Sequence, residues 1–156
     1  LYEKCNICEE YHKQGFGCPV DNQNIRVEAK WLHYGFNTNS CLYNDWNIKD
    51  TNKVVIAEGT KNVWWLDQHD IKNSVCTFGL RVLPYHLKRL TELNITTLII
   101  GYDNDERGIQ ATEKVIEQLD GYLKIRTVFD FIPKDGDIAN IDTNKMSALK
   151  QFIEKI

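Results

Sequence analysis

The sequence predicts an α/β fold: a mostly parallel sheet flanked by helices, with a small β-rich appendage at the N-terminal end. Three observations carry this expectation. The stretches Val54-Val55-Ile56-Ala57 and Leu98-Ile99-Ile100 are continuous apolar runs bounded by turn residues, the pattern of strands covered on both faces. From residue 53 onward, strand-like and helix-like segments alternate, the order of a parallel sheet with right-handed crossovers. Residues 25–31 alternate instead, with Ile25, Val27, Ala29 and Trp31 on one side, which fits a strand with a single buried face. A boundary is expected near residue 50, dividing a partial N-terminal subdomain at 1–50 from the main domain at 51–156.

Taken in order, residues 1–24 hold a turn at Gly15-Phe16-Gly17-Cys18-Pro19 and a hairpin loop at Asp21-Asn22-Gln23-Asn24. Cys5 and Cys8 have the spacing of half a zinc site. His12 and Cys18 do not supply the second pair that a structural zinc needs, so zinc is not expected here. In the main domain, residues 61–69 read as a short helix, with Val63, Trp64 and Leu66 apolar. Residues 74–78 read as a strand ending at Gly79. Residues 83–93 form a helix with Pro84 in its first turn, where a missing N–H costs little. Residues 106–119 form an amphipathic helix, with Ile109, Thr112, Val115, Ile116 and Leu119 on the packed side. A strand over 122–131, a polar loop over 132–142 and a closing helix over 144–156 complete the chain. Trp64 and Trp65 are expected to pack inside, and the four isolated histidines to be structural.

Composition narrows the function. The chain has 156 residues, 42% hydrophobic and 26% charged, enough for one good core. Its net charge of −3 gives no global basic signature, so any nucleic acid must bind through a local basic surface. No apolar run approaches the ~18 residues of a membrane span, and no membrane partner is expected. The chain opens at Leu1 without a charged-then-apolar leader, which reads as a piece of a longer cytoplasmic protein. Five scattered cysteines suit a reducing compartment better than a disulfide framework.

The chemistry is concentrated after two of the expected strands. The first apolar run ends in Glu58-Gly59, the second in Tyr102-Asp103-Asn104-Asp105-Glu106-Arg107-Gly108. In open α/β sheets the working groups lie beyond the carboxyl ends of the strands, so Glu58 should meet Asp103 and Asp105 at one edge. Carboxylates gathered there repel one another unless a cation joins them. The hard cation that suits carboxylates and phosphate oxygens together is Mg²⁺, with Mn²⁺ its close substitute. On its own Asp105 is as readily the cap of the helix that follows it. Lys61 sits in the first turn after Glu58-Gly59, where a phosphate would also meet helix N–H groups. Arg26 and Lys30 form a basic strand face.

These residues resemble the Toprim domain, the metal-binding module shared by bacterial-type primases, topoisomerases, recombination mediators and certain nucleases. The resemblance rests on Ala57-Glu58-Gly59, then Thr77-Phe78-Gly79-Leu80, then Asp103-Asn104-Asp105 with Gly108, and covers roughly residues 25–145. The Pro133-Lys134-Asp135-Gly136-Asp137 loop looks like the Pro-x-Gly-x-Asp segment of primases. Ala29-Lys30-Trp31-Leu32 and Cys41-Leu42-Tyr43-Asn44 resemble motifs that precede the Toprim core in primases and primase–helicases. The resemblance implies that Glu58 is the acid–base or metal-binding glutamate. It implies that Asp103, Asp105 and Asp137 hold the metal, and that Gly59 and Gly79 leave the strand ends bare for phosphates. Lys30, with Arg26, Lys61 and Arg107 beside it, would contact template or nucleotide. Two positions depart from the family pattern: Asn62 stands where an aspartate is common, and Asn140 represents the acid usual after Asp137. Asp135 competes with Asp137 for the same register.

The implied activity is that of a DNA primase, a nucleotidyltransferase that copies single-stranded DNA into short RNA primers from ribonucleoside triphosphates. A replicative helicase, fused or recruited, would be its partner, and a phage or mobile element a fitting source. Two alternatives use the same fold: a Toprim nuclease that hydrolyses phosphodiesters, and a non-catalytic nucleic-acid-binding domain. A phosphate-regulated receiver domain also places aspartates at strand ends, but the lone phosphoacceptor and late lysine it needs are missing from this pattern.

Overall fold

The computed structural model describes residues 37–156, together with two short strands, β1 (Tyr2–Lys4) and β2 (Tyr11–Lys13). The chain divides into two units, Leu1–Gly35 and Phe36–Ile156. In the first unit β1 and β2 pair antiparallel, Tyr2 opposite Lys13. The expected strand at 25–31, its Arg26 and Lys30, and the thiols Cys5, Cys8 and Cys18 lie outside the described residues.

The second unit is built on four parallel strands: β3 (Lys53–Ala57), β4 (Ser74–Cys76), β5 (Thr97–Gly101) and β6 (Lys124–Thr127), in the order β4-β3-β5-β6. The two apolar runs occupy the centre, as their composition demands. Val54 to Ala57 and Leu98 to Ile100 are at most 1% exposed. Alternation along these strands divides the core in two. Val55, Ala57 and Ile99 face α1 (Thr60–Gln68) and α4 (Thr143–Lys155), through Val63, Leu66, Met146, Leu149 and Ile153. Val54, Ile56, Leu98 and Ile100 face α2 (Pro84–Glu92) and α3 (Glu106–Leu119), through Leu90, Val115 and Leu119. Helices cover both faces, which is why the central strands carry no polar alternation.

Four details differ from the expectations. Strand β4 stops at Cys76 because Phe78 takes a left-handed backbone, φ 55°, and turns the chain. Strand β6 is shorter than 122–131, because beyond Val128 the backbone closes into turns, Phe131 N–H on Val128 O and Ile132 N–H on Phe129 O. On α3 the packed stripe is Gly108, Thr112, Val115 and Leu119, four and three residues apart; Ile109 and Ile116, one position round, are each 40% exposed. The loop 132–142 is not simply polar, since Ile132, Ile138 and Ile141 are buried around a 3₁₀ turn at Ile138–Asn140.

The segment Cys41-Leu42-Tyr43-Asn44 packs on the edge of this sheet. Tyr43 pairs antiparallel with Cys76, and the buried Asn44 amide donates to Ser74 O at 2.9 Å. Among the described residues no helix is long and apolar enough to cross a membrane.

Candidate active site

Register decides which side chains meet. Because β3 and β5 are adjacent and parallel with Ala57 opposite Gly101, Glu58 leaves the sheet beside Tyr102, one residue before Asp103. Strand β4 joins the same edge: Gly79 N–H donates to Glu58 O at 3.0 Å. The ends carrying Glu58, Gly79 and Asp103 are therefore one continuous rim.

The turn 101–108 is built tightly. Asp105 caps α3, its Oδ1 accepting from Gly108 N–H at 2.7 Å, so the capping role is realised. A side chain at Gly108 would put its Cβ 1.9 Å from Asp103 O. Only glycine lets the backbone of Asp103 lie on the first turn of the helix.

The loop after β6 is fastened to that turn. Asn104 N–H donates to Gly136 O at 2.8 Å, Asp135 N–H to Asn104 O at 2.9 Å, and the Asn104 amide to Ile132 O at 2.8 Å. Ile138 sits over Gly101, where a Cβ would come within 2.5 Å of its Cδ1. Asn104 and Gly101 were not singled out in the sequence; their signal is the polar residue inside Asp-x-Asp and the glycine ending an apolar strand. Within the loop it is Asp137 that turns towards the rim, its Oδ2 3.1 Å from Lys61 Nζ, whereas Asp135 is exposed with a left-handed backbone. The Asn140 side chain accepts from Asp137 N–H at 2.9 Å, so the residue in the acid's place holds the loop.

Gly59 and Gly79 have open space where a side chain would stand. Gly59 caps α1 without a side chain, leaving the first turn of that helix, with Lys61, facing the rim's own end of the sheet. Arg107 is exposed at the start of α3. Tyr102, which the sequence pattern did not mark, is fully buried. Burial raises its phenol well above the usual range, the Glu58 carboxylate adds to this, and Thr77 opposes it. The Thr77 hydroxyl itself donates to Gly79 O at 2.6 Å.

Trp64 is 48% exposed, with its indole N–H donating to Tyr43 Oη at 2.8 Å. It lies outside the core because Val63 and Leu66 take the inward positions of α1. Trp65 packs against the core beside His69.

A hard divalent cation fits this rim by its donor chemistry, the carboxylate oxygens of Glu58, Asp103, Asp105 and Asp137. Asp137 Oδ1 is buried with no hydrogen-bond partner, and an ammonium group already stands at Oδ2. Among the described residues no three His, Cys, Asp or Glu side chains converge closely enough to hold one ion as they stand.

The family model of the Toprim domain matches residues 52–129. The chain belongs to the Toprim family. The match spans β3 to β6 and includes Glu58, Asp103 and Asp105. Among curated relatives, the DNA primase of Pseudomonas aeruginosa is 30% identical over 93 residues, covering 57% of this Toprim chain and 14% of the relative. The zinc-binding and RNA polymerase domains of the Aquifex aeolicus primase superpose with a TM-score of 0.65 at 18% identity, over 87% of this chain and 34% of that one. A primase catalytic domain bound to single-stranded DNA superposes with a TM-score of 0.62 at 22% identity, over 77% and 40%. At such identities the structural likenesses show the Toprim fold. The chain spans a minor part of each of these primases.

Proposed function

We propose that this Toprim domain is the catalytic domain of a DNA primase, adding ribonucleotides to a primer on a single-stranded DNA template. The observation that carries the reading is the rim itself: register and two glycines bring Glu58, Asp103, Asp105 and the Asp137 loop to one end of the sheet, in a chain whose relatives are primases. Asp103, Asp105 and Asp137 would hold Mg²⁺ or Mn²⁺, with Glu58 completing the set. Bound there, the metal would offset triphosphate charge and lower the pKa of the attacking hydroxyl. Glu58 accepts that hydroxyl's proton or steadies the metal. Gly59 and Gly79 leave room for phosphates to approach the backbone, and Lys61, on the first turn of α1, would meet them. Arg107, with Arg26 and Lys30 upstream, would contact template or nucleotide.

A binding-only domain is the second reading. It is favoured by Asn62, which is buried with its Oδ1 unpartnered, and by Asn140, which braces the loop where an acid would bind metal. Titration calorimetry with Mn²⁺ separates the two. Binding that disappears in Glu58→Gln/Asp103→Asn supports the catalytic reading; equal heats from both proteins favour the binding-only domain. Incubation with a single-stranded template, ribonucleotides and Mn²⁺ then tests the reaction. Short RNA products are expected, and shortening of the template without synthesis would indicate a nuclease.

A further inference from the structure

A second surface begins where the acidic rim ends. Between the segment 80–84 and α3 lies a cleft of about 560 Å³. Arg81, Arg107 and Lys114 line it, and no carboxylate does, in a chain whose net charge is −3. All three cations are exposed, and none enters an ion pair among the described residues. Three like charges around one cleft repel each other, and no carboxylate of the cleft neutralises them.

The position of the cleft is as telling as its charge. Its near end is formed by Leu80 and Arg81, directly after Gly79, and by Arg107, two residues beyond Asp105. At its far end the Gln118 amide donates to Val82 O at 3.1 Å and ties the two walls together. Arg107, Lys114 and Gln118 follow one another along a face of α3, over about 16 Å of helix axis. Between the cations the floor is apolar, formed by Leu80, Val82 and Val115.

We propose that this cleft is a second nucleic-acid site, holding the phosphodiester backbone of a single strand as it passes the acidic rim. A row of unpaired cations over an apolar floor matches a chain of phosphates joined to flat, weakly hydrated bases. The proposal deepens the primase reading and rests on it in one respect, that nucleic acid reaches the rim. It assigns Arg81 and Lys114, together with Arg107, to the path of that strand. The cations bind and position; they touch no reacting atom.

The test is binding without catalysis. Anisotropy of a fluorescent oligothymidylate is measured against the whole 156-residue chain in EDTA, over a range of salt concentrations. Arg81→Glu/Lys114→Glu should weaken binding by at least about tenfold, and the slope of log Kd against log salt should fall by about 0.7 for each phosphate no longer neutralised. Lys145→Glu/Lys150→Glu, on α4 across the sheet, makes the same change in net charge and should have little effect. Equal weakening by both pairs, or none by either, overturns the proposal. A glutamate-rich peptide whose binding is abolished in the cleft variant, while DNA binding is kept, would overturn it in favour of a protein-docking groove. Should the cleft variant fold poorly, photo-crosslinking of a 4-thiothymidine strand to the unaltered protein decides. Adducts on 80–84 or 107–118 support the site, and adducts confined elsewhere refute it. Because the assay contains no metal, failure of primer synthesis leaves its outcome unaffected, and the two ideas fail separately.

Discussion

The turn 101–108 and the loop 132–142 both carry carboxylates to the rim, yet they are held in opposite ways. The turn is self-contained. Its aspartate caps its own helix, and its glycine admits its own backbone, all within eight residues. The loop has its own 3₁₀ turn, buried isoleucines and Asp137–Asn140 bond, but it is fastened to the rim through Asn104 and Gly101, which belong to the turn. A site can thus be assembled with one rigid wall and a second wall fastened to it. The ligand donor that only the second wall supplies, Asp137, is the one left with a buried, unpartnered oxygen.

Breaking the rigid wall should have the largest effect. Gly108→Ala drives a Cβ into the Asp103 carbonyl, backbone against backbone with nowhere to yield. A loss of about 3 kcal/mol is expected in denaturant unfolding, with Mn²⁺ binding abolished as well. Gly101→Ala is the counterpart for the second wall. Its clash is with the tip of the flexible Ile138 side chain, so about 1 kcal/mol is expected. Mn²⁺ affinity should then fall more than stability does, as the Asp137 loop lifts.

Asp105 sharpens the comparison, because it serves helix and rim at once. Asp105→Ala should cost about 1 kcal/mol through removal of the cap, whereas Asp105→Asn keeps the accepting oxygen and should cost little. If both variants fail to bind Mn²⁺ but only the alanine is less stable, the two roles are separated. Equal destabilisation in both would show that the carboxylate charge, not the cap, supports the turn.

Stability should also depend on pH through a group remote from both walls. His86 is buried, and burial holds its imidazole below the usual range, with the backbone groups of Cys41, Thr38 and Arg81 acting the other way. The unfolded chain therefore takes up the proton first. Stability is full above about pH 6.5 and declines as pH falls below it towards the folded value. Thermal unfolding should show this slope, and His86→Gln should flatten it.

The smallest effect is expected at the ion pair between Lys61 and the second wall. The Lys61–Asp137 pair is partly exposed, so Lys61→Gln should cost less than about 1 kcal/mol. Calorimetry should nevertheless show tighter Mn²⁺ binding, since the ammonium no longer competes for Asp137. Weaker binding would mean that Lys61 holds the loop in place.

The layered α/β architecture was legible element by element, because runs such as Val54–Ala57 are too apolar to be anything but central strands once helices alternate with them. The acidic rim was legible in outline, since parallel strands must end on the same side and Glu58 and Asp103 follow two of them. The remainder needed the folded chain. Which strand lies beside which sets the register of Ala57 on Gly101, and no local pattern encodes that pairing. Whether Asp135 or Asp137 faces the rim depended on a backbone sign within the loop and on Lys61 reaching across from α1. Trp64 looked like core by composition and proved half exposed, because helical phase gave the inward places to Val63 and Leu66. The cleft of Arg81, Arg107 and Lys114 joins a loop to a helix more than twenty residues away, a proximity that only folding creates.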